Sequence, residues 1–288
     1  MTRVTNAVKA AIRWISGFVG RSLKVLWNAL SRFTNARGPE AAAGLAYYAF
    51  FSLFPLLLAV VVAGSFILES EQAHLQVVEF VIEAFPVSRE VIESNLRRVL
   101  ELRGPVGLVG LIGLTWSASS VFTTLVRNIN LAWPEAEPRN VLQERLAAFG
   151  IVGISTVLLL LSFLSSTILS LLAGLRVPLW EGVGVYDTAL WAITLDFLPW
   201  LVTFLVFLSL YRWVPNTAVK WSAATRGAVV VTFLWEVAAR AFAWYLSSGL
   251  VHYEFIYGSL GTVVTLMLWI YISGWIALFG AHLSAAIV

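Results

Sequence analysis

From Ala41 to Leu68 the chain runs for 28 residues without a charged side chain. A helix of that length reaches about 42 Å, more than the ~30 Å hydrocarbon core of a bilayer. In lipid a helix satisfies its own backbone hydrogen bonds, and an apolar surface needs no further cover. Five more stretches have similar character: Pro105–Val126, Leu146–Leu175, Val185–Tyr211, Gly227–Leu250 and Phe255–Val288. Only 12% of the 288 residues are charged, against about 25% in a soluble domain. The expected fold is all-α: a polytopic membrane protein with six transmembrane helices in one membrane domain over residues 1–288. The chain has no cysteine, so disulfides, thiolate metal sites and thiol nucleophiles are excluded.

The segments between these stretches set the topology. Residues 1–37 hold seven basic side chains and no acidic one. Val8, Ile12, Ile15, Val19, Leu23, Leu26, Leu30 and Phe33 recur every three or four positions, which is one face of a helix. With Trp14 and Trp27, this predicts an amphipathic interfacial helix on anionic lipid headgroups. The alternative is a helix packed on the protein's own loops. Residues 69–103 contain seven Glu and four Arg, and predict a small helical extramembrane cap broken at Pro86. Taking the N-terminus as inside, Lys and Arg number 7 (1–40), 3 (127–145) and 3 (212–226) on the inner side. The outer side carries 4 (69–103) and 1 (176–184). The 13 to 5 bias places both termini on the cytoplasmic side and the Glu-rich segment outside.

The fifth stretch carries Glu236 and Arg240 in its interior, and the fourth carries Asp196. A charge at the bilayer centre costs about 2.5–3.5 kcal/mol on insertion scales, so it persists where it is paired or used. Positions four apart share a helix face. Glu236 and Arg240 therefore form either an ion pair that locks the helix or part of a polar pathway. By depth, Arg240 is expected to bridge Asp196 and Glu236 as a buried trio facing the bundle interior. Pro55 and Pro199 each fall mid-helix in the first span of a three-span half. Interrupted helices in inverted repeats mark binding sites in many transporters. The candidate substrate or ion pathway is thus Asp196, Glu236, Arg240, Pro55 and Pro199.

Other features have plainer readings. Gly104, Gly107, Gly110 and Gly113 recur every three residues, spacing that lets membrane helices approach closely. Val214-Pro215-Asn216 terminates the fourth helix, because Pro cannot continue the ladder. Arg127 and Asn128 sit at an inner helix end, where headgroup or loop contacts are expected. His282 reads as a snorkelling or hydrogen-bonded group rather than a metal ligand. No cofactor is implied.

Several short stretches resemble the YihY/BrkB type of bacterial inner-membrane proteins. They are Ala46-Tyr47-Tyr48-Ala49-Phe50, Ser52-Leu53-Phe54-Pro55, Asn130-Leu131-Ala132-Trp133, Val214-Pro215-Asn216 with Trp221, Ile256-Tyr257-Gly258-Ser259-Leu260-Gly261, and Leu268-Trp269-Ile270-Tyr271. The resemblance runs from Gly38 to Ala281. It implies a six-helix protein of the bacterial inner membrane, with the cap at 69–103 in the periplasm; members carry labels of ribonuclease, virulence factor or transporter, and some are linked with lipid export. Where the family often has Gly-Ala-Glu-Leu, this chain reads Gly280-Ala281-His282-Leu283.

Three functions compete. Transport of a lipid or amphipathic molecule fits the intramembrane charges. A non-transporting scaffold would dock a periplasmic protein partner on 69–103. A nuclease needs clustered His or carboxylate ligands, which the sequence does not offer, so neither an enzyme nor a nucleic-acid partner is expected. The sequence leaves oligomeric state open.

Overall fold

The computed structural model describes residues 20, 23–67, 116, 119–174, 178–180, 183–184, 189–248 and 259–287. Side chains at 53–67, 159, 162–174, 178–180, 183–184, 189–196, 259–260 and 262 lie outside that description. The elements are α1 (residues 23–35), α2 (Gly38–Ile67), α3 (Ser120–Leu131), α4 (Val141–Gly174), β1 (Pro178–Trp180), β2 (Val183–Gly184), α5 (Ala189–Trp213), α6 (Trp221–Ser247) and α7 (Ser259–Ala286). The helical class is as expected. One difference is the antiparallel ladder of β1 and β2, in a segment read as a plain loop.

Among the described residues, three helices are long and apolar enough to cross a membrane, over Val141–Leu158, Trp221–Ser247 and Val263–Ala286. Phe197–Trp213 is a shorter apolar helix. The cap at 69–103, the glycine repeat at 104–113, most of the second expected span and residues 1–19 lie outside the described residues.

The described chain forms two compact units: residues 1–40, 126–239 and 275–288, and residues 41–125 and 240–274. The first is centred on the last third of α7. Ala277, Leu278, Ala281, Leu283 and Ser284 are all buried there. Apolar side chains gain little by leaving lipid for one another, so membrane helices associate through close packing, for which small residues clear the way. Gly280 does this against α5 and α6: a Cβ there would lie 2.2 Å from both the Tyr211 hydroxyl and Val231. Tyr211 Oη, fully buried, donates to the Ala277 carbonyl at 2.9 Å. Gly227 of α6 meets Ser284 in the same way. α4 and α5 pack against each other.

α1 joins this core by its last turn. Phe33 is fully buried and meets Trp275 edge-on at 4.8 Å and His282 at 5.9 Å. Arg37, with φ of 55°, ends the helix in the left-handed conformation. α2 starts at once at Gly38, which the Phe33 ring covers so closely that a Cβ would lie 2.1 Å from it. The stripe read as one membrane-facing surface is therefore divided. Phe33 serves the protein core, while Leu23, Leu26, Trp27 and Leu30 stay exposed.

In the second unit α2 and α7 approach where Gly274 lies against Leu45 and Ala42. Phe242 packs on Trp269, with ring centroids 5.0 Å apart.

Three helices overrun their expected ends. α3 continues through Arg127 to Leu131, α4 begins at Val141, and α6 begins at Trp221. Charge marked the ends in the sequence, but in these turns charge occupies only the outer face. Arg127 and Arg226 are exposed, while Val126, Ile129 and Asn130, and Ala223, Ala224, Gly227 and Ala228, are buried. The basic loop expected at 212–226 shrinks to residues 214–220, and α5 ends at Trp213 as Val214-Pro215 predicts.

Candidate functional site

Glu236 and Arg240 lie inside α6, a helix of 27 residues. Counting 1.5 Å per residue from the middle of that helix, Glu236 is about 3 Å and Arg240 about 9 Å along the axis. Both fall within a hydrocarbon half-thickness of ~15 Å. Glu236 is half-buried and Arg240 exposed. Arg240 shares its side of the helix with Phe233, Val237 and Trp244, all strongly exposed. Glu236 and Arg240 both hold partners, and the expected bridge from Arg240 to Asp196 turns on the Asp196 side chain, which lies outside the described residues. An arginine carries its charge on a long apolar stem, so the guanidinium can leave the packed face while the stem stays on it.

Asp196 falls within α5, five residues before its middle, and its side chain lies outside the described residues. The same holds for the Pro55 side chain, although α2 runs helical through that position. Pro199 sits inside α5 on an exposed face. Its carbonyl accepts from Thr203 Oγ1 at 3.0 Å. Phe197, Trp200 and Phe204 stack along this stretch, with centroids 5.5 and 5.8 Å apart.

A second polar site joins the α3–α4 connection to the α5–α6 turn. Asn130 accepts the Asn216 backbone N–H on Oδ1 at 2.7 Å, and its Nδ2 donates to the Glu137 carbonyl at 3.1 Å. Asn216 Nδ2 donates to that same carbonyl at 3.2 Å. Arg139 donates to the Val214 carbonyl, which Pro215 leaves beyond the end of the α5 ladder. Arg127 holds Glu144 bidentately, Nε to Oε1 at 3.0 Å and Nη2 to Oε2 at 2.7 Å. Two stretches that are individually weak signals, Asn130-Leu131-Ala132-Trp133 and Val214-Pro215-Asn216, are therefore one interlocked structure.

The start of α4 is fixed by a capping box. Asn140 Oδ1 accepts from the Gln143 N–H at 2.9 Å, and Gln143 Oε1 accepts from the Asn140 N–H at 3.1 Å. Sequence reasoning missed it, although Asn-x-x-Gln before an apolar run is its signature. On the other side of the junction Arg212 lies over the Trp221 ring at 5.0 Å, and Trp213 meets Trp221 edge-on. Exposed Trp beside Arg at helix ends is the composition of a membrane interface.

Between α3 and the start of α4 lies a cavity of about 250 Å³. Val126, Leu131 and Pro138 give it an apolar wall; Arg127, Asn130, Arg139 and Glu144 give it a polar one. Burial lowers the Arg139 pKa, and the Glu144 carboxylate opposes that effect.

His282 is buried rather than snorkelling, and its Nδ1 has no hydrogen-bond partner among the described residues. Among the described residues no three His, Asp or Glu side chains gather as a metal site.

The family model described as virulence factor BrkB matches residues 29–288. The ribonuclease-like protein YfkH of Bacillus subtilis is 29% identical over 267 residues, covering 88% of this chain and 92% of its own length. A UPF0761 membrane protein of Azotobacter vinelandii is 30% identical over 253 residues; the match covers 88% of this chain and 60% of that relative. Another from Photobacterium profundum is 29% identical over 257 residues, 89% of this chain and 78% of the relative. No solved structure matches. The match over nearly the whole chain, with the apolar spanning helices, makes this a membrane protein of the BrkB family.

Proposed function

We propose that this is a transport-type protein of the bacterial plasma membrane, and that it moves a lipid or similarly amphipathic molecule rather than catalysing a reaction. The observation that carries the reading is the exposure of Arg240, with Glu236 half-buried beside it, deep in an apolar helix. An ion would need an enclosed polar path. An amphipathic substrate needs only a polar track for its headgroup, because its tails remain in lipid. An outward-facing charged step on an otherwise apolar helix supplies such a track. Asp196 on α5 is a further charged position in an apolar helix, and Pro55 and Pro199 mark where α2 and α5 lack a ladder hydrogen bond and can adapt. In this reading six helices span the bilayer, both termini are cytoplasmic, and the basic N-terminal segment lies on anionic headgroups.

The absence of cysteine makes the test clean. Single cysteines are placed at 236, at 240 and, as a lipid-facing control, at Val157, which is exposed in the middle of α4. A membrane-impermeant thiol reagent should label 236 and 240 in proteoliposomes and leave 157 unlabelled. Equal protection at all three positions would remove the track.

A further inference from the structure

We propose that the cavity between α3 and the start of α4 binds a phosphate-bearing group. Among the described residues, two guanidiniums, Arg127 and Arg139, line it against a single carboxylate. Both oxygens of that carboxylate, Glu144, are already engaged by Arg127. The wall therefore keeps a net positive charge beside apolar surface. α4 begins at the same place, and the N-terminus of a 34-residue helix adds positive potential there. The planar guanidinium fork matches phosphate oxygens better than an ammonium would.

Two further observations point the same way. At 250 Å³ the cavity exceeds several times the ~30 Å³ share of one liquid water, so a phosphate ester fits. Burial disfavours the charged form of Arg139, and Glu144 only opposes this; an arriving anion would relieve the remaining penalty. The apolar wall of Val126, Leu131 and Pro138 suits the carbon skeleton of the ester. The shared chemistry is a phosphate ester, and it has two sources: a soluble metabolite or a lipid headgroup. The site is separate from the α6 track, and equilibrium binding reports on it without any transport.

The test uses the full chain and arginine-specific modification by phenylglyoxal, read by mass spectrometry at Arg127 and Arg139. Protein in detergent is titrated with glycerol 3-phosphate. Protein in nanodiscs of phosphatidylcholine is compared with protein in nanodiscs that also contain phosphatidylglycerol. Protection by the soluble ester identifies a free phosphate ester as ligand. Protection only by phosphatidylglycerol identifies the headgroup. Protection by neither overturns the proposal. Arg139→Gln should weaken binding by about tenfold, the scale of one charge-assisted hydrogen bond, whereas Arg139→Lys, which keeps the charge but loses the fork, should fall between that variant and wild type. Wild-type affinity in Arg139→Gln would overturn the proposal as well. The wild-type protection data stand even if that variant fails to fold.

Discussion

Asn130→Ala should loosen the junction between the α3–α4 connection and the α5–α6 turn far more than Asn216→Ala does. In sequence the two asparagines look equivalent; their bonds are not. Asn130 is 9% exposed, so water cannot replace its side chain. Its removal strands the Asn216 N–H, which it accepts at 2.7 Å, and ends its own bond to the Glu137 carbonyl at 3.1 Å. Both bonds are part-buried, and each lost bond costs about 0.5–1.5 kcal/mol, so the total is roughly 1–3 kcal/mol. Asn216→Ala removes one bond to a carbonyl that Asn130 still serves, and the backbone N–H stays paired. That change should cost only about 0.5–1.5 kcal/mol. Hydrogen exchange at the Asn216 amide reads the difference directly. Exchange there should accelerate about tenfold in Asn130→Ala, because local opening becomes cheaper by ~1.4 kcal/mol. Asn130→Asp is a useful companion, since it keeps the acceptor and turns the donor into a second acceptor facing the Glu137 carbonyl. It should be as damaging as alanine. Equal costs for the two alanine variants, or an Asn216 amide that exchanges at the wild-type rate in Asn130→Ala, would refute the reasoning.

Gly280→Ala places a methyl group 2.2 Å from the Tyr211 hydroxyl and Val231; overpacking of this kind costs about 1–3 kcal/mol, read as a lowered Tm in micelles. Asn140→Ala opens the capping box of α4 at a cost of about 0.5–2 kcal/mol, with faster exchange at the Gln143 amide and none at the far end of the helix. A peptide of residues 1–37 should bind anionic vesicles, and both added salt and the triple change Arg13→Glu, Arg21→Glu, Lys24→Glu should weaken that binding.

The membrane class and the approximate course of most helices were legible because span length and charge exclusion depend on local sequence alone. Helix ends were less so. In sequence Arg127, Glu144 and Arg226 look like loop because they are charged, yet each lies within the first or last turns of a helix whose other face is buried or paired. The packing at Gly280 was missed although Gly280 and Ser284, four apart, are small residues on one face of α7. The Asn130–Glu137–Asn216 junction could not be read at all, since its partners lie 86 and 79 residues apart and no periodicity connects them. The depth of Glu236 and Arg240 was readable from position along the helix. Which face Arg240 takes was not, because that depends on what the rest of the chain packs against.

Translocation itself is most directly tested with reconstituted protein. Proteoliposomes carrying a headgroup-labelled phospholipid report transfer between leaflets through the fraction of label that an external quencher reaches. The account predicts transfer well above protein-free liposomes, and a drop of about tenfold in Glu236→Gln, equivalent to ~1.4 kcal/mol on the barrier, with Tm unchanged. Transfer no faster than in protein-free liposomes, or full activity in Glu236→Gln, would contradict it.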